Sequence, residues 1–355
     1  MNKKFGDSSH VFDDLRTADA LNATIDSGEF KDIVRLSEAY HDKRTVEIAK
    51  KIADSGKRIV LIAGPSSSGK TTFAKKLCVH LRVNGLKPVY MSTDDFFLNR
   101  EETPVDENGE KDYENLSAVD VELFNRVLNQ LLAGEETDIP EFDFIQGKKI
   151  FGKHITKISK EQPIVIEGIH ALNDDLTPHV PKKQKFKIFI CPEQVIEVEK
   201  GNIEPVDYRM IRRMVRDYKY RGKSAVDTIK LWPKVRAGEE KNIFPYRKNA
   251  DVEFNSAHIY EFCVLKKHAC KVLKDVEDDI PESEKALQLL EFLDNFKSYE
   301  DDGVVSNDSI LCEFVGGSLY SDDETGKGFV ATKNINFWWN RIKEWSEETK
   351  KQFRH

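Results

Sequence analysis

Eight consecutive residues, GPSSSGKT from Gly64 to Thr71, carry the chemistry most directly legible in the chain. They fit GxxxxGK[ST]. In such a loop the glycines let backbone N–H groups wrap an anion, the lysine brings a point charge toward the β- and γ-phosphate oxygens, and the last hydroxyl reaches Mg²⁺. The pattern carries weight only between a buried strand and a helix. RIVLIA at 58–63 reads as that strand, and Phe73, Leu77 and Leu81 set helical spacing over 72–83. Gly64, Ser66, Ser67, Ser68, Gly69, Lys70, Thr71 and Thr72 are therefore expected to cradle the phosphates of a nucleoside triphosphate at a helix N-terminus.

Such a loop leaves open what receives the phosphate, which needs a base and a pocket. Asp94 and Asp95 end the next expected strand, 88–92, at the edge where ligands bind in open α/β sheets. A carboxylate there can accept a hydroxyl proton and help hold a metal; the competing reading is two aspartates that cap a helix or face water. Glu167 ends the buried strand 163–166 at the same edge, as a ligand of Mg²⁺ or water or as a structural hydrogen-bond partner. His170 reads equally as a satisfied histidine and as a catalytic one. Seven cations between Arg209 and Lys223 are opposed within that window only by Asp217, and on a helix Arg209, Arg213 and Arg216 share a face. That face is placed to close over phosphates and stabilise developing charge, or else it is simply solvated. No aromatic platform interleaves it, so nucleic acid is not the expected partner.

These groups need a scaffold. Strand and helix patterns alternate through 58–63, 72–83, 88–92, 121–132, 163–166 and 186–190, which predicts a mostly parallel sheet with helices on both faces. Segments 139–144 and 149–158 read as shorter strands of an antiparallel insertion. A strand at 252–254 and helices over 258–276 and 282–296 follow. Ahead of this, 30–53 has amphipathic helical spacing, and residues 1–30 are weakly patterned. At the far end an acidic stretch, 321–324, reads as a linker before a helix over 336–353 bearing Trp338, Trp339 and Trp345, which suits docking on the body or contact with a second subunit. The chain has 355 residues, net charge −7 and 39% apolar residues, the composition of a soluble globular protein. Its longest strongly apolar run, Ile59–Ala63, is far short of the roughly 20 residues of a membrane span, and no leader pattern follows Met1. Five scattered cysteines without a CxxC pair suit reduced thiols in the cytoplasm.

With these residues assembled, the chain resembles the uridine kinase and phosphoribulokinase family of P-loop kinases, and within it the uridine kinase-like branch. The resemblance covers roughly 57–276. It rests on GPSSSGKTT at 64–72, STDDFF at 92–97, IEGIH at 166–170, RRMVRD at 212–217 with Arg221 and Gly222, and NADVEFNSA at 249–257. It implies ATP as co-substrate, Mg²⁺ as cofactor, Asp94 as catalytic base beside Lys70, and Thr71, Asp94 and Glu167 around the metal. It also implies that Arg216 and Arg221 reach ATP, that Arg213 lies near the acceptor, and that Asp251 is a carboxylate at the nucleotide. Glu114, in DYENLSAVD at 112–120, corresponds to the acidic residue that holds ribose hydroxyls. Phe142 and Gly147 stand where the family presents a Tyr and a His to a pyrimidine, and Lys223 where an Arg is usual. Lys148 and Lys149 beside that gap suit either an anionic acceptor or plain exposure.

The expected fold is thus α/β, of P-loop NTPase type: a mostly parallel sheet with helices on both faces, a small antiparallel acceptor-binding insertion, a helical lid and a helical C-terminal appendage. The expected units are a lead-in at 1–54, a kinase domain at 55–278 and an extension at 279–355. The expected activity is phosphorylation of a nucleoside hydroxyl; the alternatives are a sugar, sugar phosphate or polyol acceptor, and a nucleotide-binding regulatory or scaffold protein without turnover. A small-molecule acceptor and ATP are the expected partners, with neither membrane nor nucleic acid.

Overall fold

The computed structural model describes residues 9–320, apart from 108, 194, 195 and 202. The acidic stretch at 321–324 and the tryptophan-bearing segment 336–353 lie outside the described residues. In chain order the main elements are α1 (Ala18–Ser27), α2 (Phe30–Ser55), β1 (Ile59–Ala63), α3 (Lys70–Val83), β2 (Val89–Ser92), α4 (Val121–Ala133), β3 (Thr137–Asp143) and β4 (Lys148–Thr156). Then come β5 (Ile164–Glu167), β6 (Lys185–Cys191), α5 (Tyr208–Arg221), α6 (Ala225–Asn242), β7 (Val252–Asn255), α7 (Glu261–Leu273), α8 (Ser283–Asp294) and a short α9 (Cys312–Val315).

Five strands form one parallel sheet in the order β2-β5-β1-β6-β7. β1 is central and wholly buried, as a strand covered on both faces must be. Side-chain alternation divides it between two apolar layers. Val60 and Ile62 join α2, α3, α5, α7 and α8 on one face. Ile59, Leu61 and Ala63 join α4 and the base of the β3–β4 hairpin on the other. The hairpin is the expected antiparallel insertion, with Phe142 opposite Lys149 and an irregularity between Ile139 and Glu141. Among the described residues no helix is long and apolar enough to cross a membrane.

Residues from both ends of the described region share this core. Leu21, Phe30, Val34 and Ile48 are buried in the same layer as Phe292, Leu293, Leu311 and Phe314. The weak pattern before residue 30 conceals α1, which is capped by the Thr17 hydroxyl accepting from Ala20 N–H at 3.1 Å.

The basic stripe forms α5, whose first half is embedded. Arg209 and Arg212 are 1% and 0% exposed. Arg212 donates from Nε and Nη2 to the Glu261 carboxylate at 3.1 and 2.5 Å, and Nη2 also reaches Ser256 O at 2.8 Å. Arg209 forms a fork with Glu239 at 2.5 and 2.8 Å. A cationic helix can enter a core only where each guanidinium meets a carboxylate and carbonyls, since an unpaired buried charge is prohibitively desolvated. Both halves of the stripe meet the phosphate loop, Arg209 and Arg212 through its carbonyls and Arg213 through the Ser66 hydroxyl.

Candidate active site

Parallel pairing brings the C-terminal ends of β1, β2 and β5 to one edge, and the chemistry gathers there. The loop after β1 is shaped by steric demands. A Cβ on Gly64 would lie 1.9 Å from the Ile190 carbonyl oxygen, so only glycine fits beside β6. Gly69 has φ 83° and starts α3, while Ser67 holds φ 59° without glycine's freedom. That conformation is held from outside. The Glu239 carboxylate accepts from Ser66 N–H at 3.2 Å, Arg209 donates to Ser66 O at 3.0 Å, and Arg213 donates to Ser66 Oγ at 2.9 Å. Lys70 lies over the loop with Nζ 3.1 Å from Pro65 O.

Beside the loop, Glu167 is buried at the end of β5, and its Oε1 accepts from three hydroxyls: Thr71 at 3.2 Å, Tyr90 at 3.0 Å and Ser92 at 2.9 Å. Asp94 opens the short helical turn 93–96 that follows β2, where its N–H donates to Ser92 Oγ at 3.3 Å. Its carboxyl is raised above the ordinary range by desolvation, opposed by the charges of Lys70, Arg221 and Arg216. Glu167 is raised by burial and then by the charge of Asp94. Mutual repulsion of this kind marks a place that a cation stabilises. The donors are hard oxygens, which fit Mg²⁺: the Thr71 hydroxyl and the Asp94 and Glu167 carboxylates would hold it, directly or through water. Among the described residues no group of three or more His, Cys, Asp or Glu converges as a metal cage. A Mg²⁺ completed by substrate phosphates needs none.

The sequence-predicted residues are largely brought together. Arg213 is buried, 3.3 Å from Asp217, and its charge acts on Glu114. Arg216 binds Asp217 at 2.8 Å, and Arg221 lies 3.5 Å from the same carboxylate. Burial pushes the Glu114 carboxyl up to about 7 despite Arg213, and its Cβ lies against Gly238 of α6. Tyr113, Phe97, Phe142 and Phe144 follow one another edge-to-face at 6.0, 6.0 and 5.1 Å, forming an aromatic wall. Asp95 ties that wall to Asp94's segment by accepting from Phe142 N–H at 3.2 Å, and burial lifts its carboxyl to about 7. Lys223 is exposed on the α5–α6 turn. His170 is buried and pushed down to about 4 by that burial, so it is neutral near pH 7 and carries no proton to donate as imidazolium.

Asp251 is a correction. It precedes β7, accepts from Lys187 N–H at 2.8 Å and lies 3.3 Å from Lys57 Nζ. Lys57 stands just before β1 and the phosphate loop just after it, so Asp251 sits at the opposite edge of the sheet from the nucleotide loop. The expected strand 252–254 follows Asp251 directly, and its parallel pairing with β6 fixes which sheet end that carboxylate takes. Lys149 also loses the anionic-acceptor reading, because its side chain is 9% exposed and its ammonium is bonded to Asp120 at 2.8 Å. The space left by Gly147 is filled by Arg100, whose Nε would lie 2.8 Å from a Cβ there and whose Nη2 donates to Phe144 O at 2.7 Å. Glu239, 173 residues from Ser66, had no local signal at all.

Lys70→Ala is expected to weaken ATP binding and turnover together, lowering kcat/KM for ATP about 100-fold, because its charge serves both ground and transition states. Titration calorimetry and initial rates check this; unchanged affinity with unchanged rate would remove Lys70 from the phosphate site.

Comparison with known proteins places these features in a family. The chain is 28% identical over 195 residues to the uridine kinase of Bacillus cereus (strain B4264), covering 55% of this chain and 83% of that one. It is 27% identical over 195 residues to the uridine kinase of Bacillus thuringiensis (strain Al Hakam), with the same coverage of 55% and 83%. A solved structure described as a possible uridine kinase from Bacillus stearothermophilus is 21% identical, with 60% of this chain and 98% of that one aligned at a TM-score of 0.41. Residues 59–261, more than half of the chain, match the family model for the phosphoribulokinase / uridine kinase family, and the chain belongs to that family.

Proposed function

We propose that this protein transfers the γ-phosphoryl group of ATP to a hydroxyl of a nucleoside, with Mg²⁺. The observation that carries the reading is the meeting, at one sheet edge, of Lys70 and the Thr71–Glu167 pair with Asp94, flanked by Glu114, Arg213 and the aromatic wall. The acceptor hydroxyl oxygen bonds to the γ-phosphorus as the bond to the ADP oxygen breaks. Asp94, whose raised affinity for protons suits a base, takes the hydroxyl proton. Lys70 neutralises phosphate charge, and Arg213, Arg216 and Arg221 bring fixed cations to the transferring group. Bound Mg²⁺ supplies charge neutralisation on the phosphate oxygens. The uridine kinases among the relatives support a nucleoside acceptor, and the free cysteines support a reducing compartment such as the cytoplasm.

Neither Phe142 nor Gly147 offers a side-chain hydrogen bond to a base, whereas Glu114 can bind vicinal hydroxyls. Selection is therefore expected to rest on the sugar more than on the base. Glu114→Ala should lower acceptor kcat/KM at least about tenfold, on the order of 1.4 kcal/mol. Because burial pushes the Glu114 carboxyl up to about 7, the wild-type acceptor kcat/KM should rise between pH 6 and 8 as the carboxylate forms, and Glu114→Gln should diminish that rise, leaving the part that belongs to the Asp94 base. A coupled assay of nucleosides, sugars and sugar phosphates with MgATP tests the whole reading. Turnover of a sugar phosphate alone would move the acceptor class, and ATP binding without turnover of anything would favour a regulatory role.

A further inference from the structure

Beyond the segment that matches the family, the chain runs back across the phosphate loop. Ile310 is seated on Gly69: a Cβ added to that glycine would lie 2.3 Å from Ile310 Cγ2. Asp308 pairs with Lys76 of α3 at 3.0 Å, the Val315 carbonyl accepts from Lys219 of α5, and the Arg212 guanidinium lies 5.2 Å from the Phe314 ring centre. Residues 308–315 thus form a strap fastened to both helices that flank the loop. Its acidic residue, Glu313, accepts from the Thr72 hydroxyl at 3.2 Å through Oε2, and its Oε1 is 3.9 Å from Arg216 Nη1.

The placement has a direction. Thr71 and Thr72 are successive residues in the first turn of α3, so their side chains diverge by about 100°. Thr71 faces Glu167, on the side where the transferred phosphate must meet Asp94. Thr72 faces the strap. A triphosphate with its γ-phosphate beside Asp94 would have its nucleoside end away from Glu167, the side on which Thr72 and Glu313 lie. A carboxylate there repels phosphate oxygens but accepts well from hydroxyls, and two adjacent sugar hydroxyls match its two oxygens.

We propose that Glu313 binds the ribose hydroxyls of the nucleoside triphosphate, which makes the C-terminal strap the sugar-side wall of the ATP site. This rests on the phosphate-loop reading and not on the acceptor. The test is titration calorimetry without acceptor, on the full chain and its Glu313→Ala and Glu313→Gln variants. The ligands are the Mg²⁺ complexes of ATP, 2′-deoxy-ATP and inorganic tripolyphosphate. Glu313→Ala should bind ATP about tenfold more weakly, bind tripolyphosphate as the wild type does, and no longer distinguish ATP from its 2′-deoxy form. Glu313→Gln, which preserves packing, should lie between. Equal or tighter ATP binding by both variants would overturn the proposal in favour of a carboxylate that competes with phosphates. A loss shared equally by tripolyphosphate would overturn it in favour of a structural role. Wild-type protein that binds neither ATP nor tripolyphosphate would overturn it together with the phosphate-loop reading.

Discussion

Asp94→Asn should lower turnover about 1,000-fold while leaving ATP affinity within about twofold, because the amide keeps the shape of the side chain and loses its basic oxygen. The surroundings sharpen the expectation. Asp94 is desolvated, which raises its proton affinity, and the charges of the nearby Lys70, Arg221 and Arg216 oppose that rise. Single-turnover rates at saturating acceptor, set beside calorimetric ATP affinity, separate the two effects. Turnover within about tenfold of wild type would exclude Asp94 as the base.

Removing one partner of the Arg212–Glu261 pair should be among the most destabilising single changes in the protein. Arg212→Ala strands the Glu261 carboxylate, which is 1% exposed, and leaves Ser256 O without its donor. The expected loss is about 3–5 kcal/mol in denaturant unfolding at pH 7. An Arg212→Met, Glu261→Leu double variant should recover more than half of it, because what costs most is the unpaired buried charge. A loss below about 1 kcal/mol for Arg212→Ala would mean that water reaches the site and the pair is not sealed. The effect reaches function through the same helix, since Arg209 and Arg213 hold Ser66 in place.

Much of this molecule was legible along the chain. Period and punctuation predict β1, α3, β5 and β6 to within two or three residues, because a five-residue buried run flanked by turn residues permits few alternatives. The phosphate loop is legible for a related reason: backbone wrapping of an anion demands glycine and lysine at fixed spacing within one short segment. Local chemistry of that kind leaves a local signature. The family motifs also single out Asp94, Glu167 and Arg213, and the folded chain sets Asp94 near Glu167 and Arg213 on the Ser66 hydroxyl.

What the sequence by itself determined is therefore the parallel α/β scaffold, the triphosphate loop and the carboxylates that follow its strands. Tertiary structure alone decided the rest, since each remaining role depends on which distant residue a side chain meets. Seven cations within fifteen residues do not reveal that Arg209 and Arg212 are buried against Glu239 and Glu261 while Arg216 and Arg221 stay near Asp94. Asp251 directly precedes the expected strand 252–254, and only the parallel pairing of β7 with β6, with the Lys57 contact, puts that strand's start away from the nucleotide loop. Glu313 and Thr72 are 241 residues apart, so no periodicity could join them. Charge pairing across a core is set by packing, and packing is not written in any window of the chain.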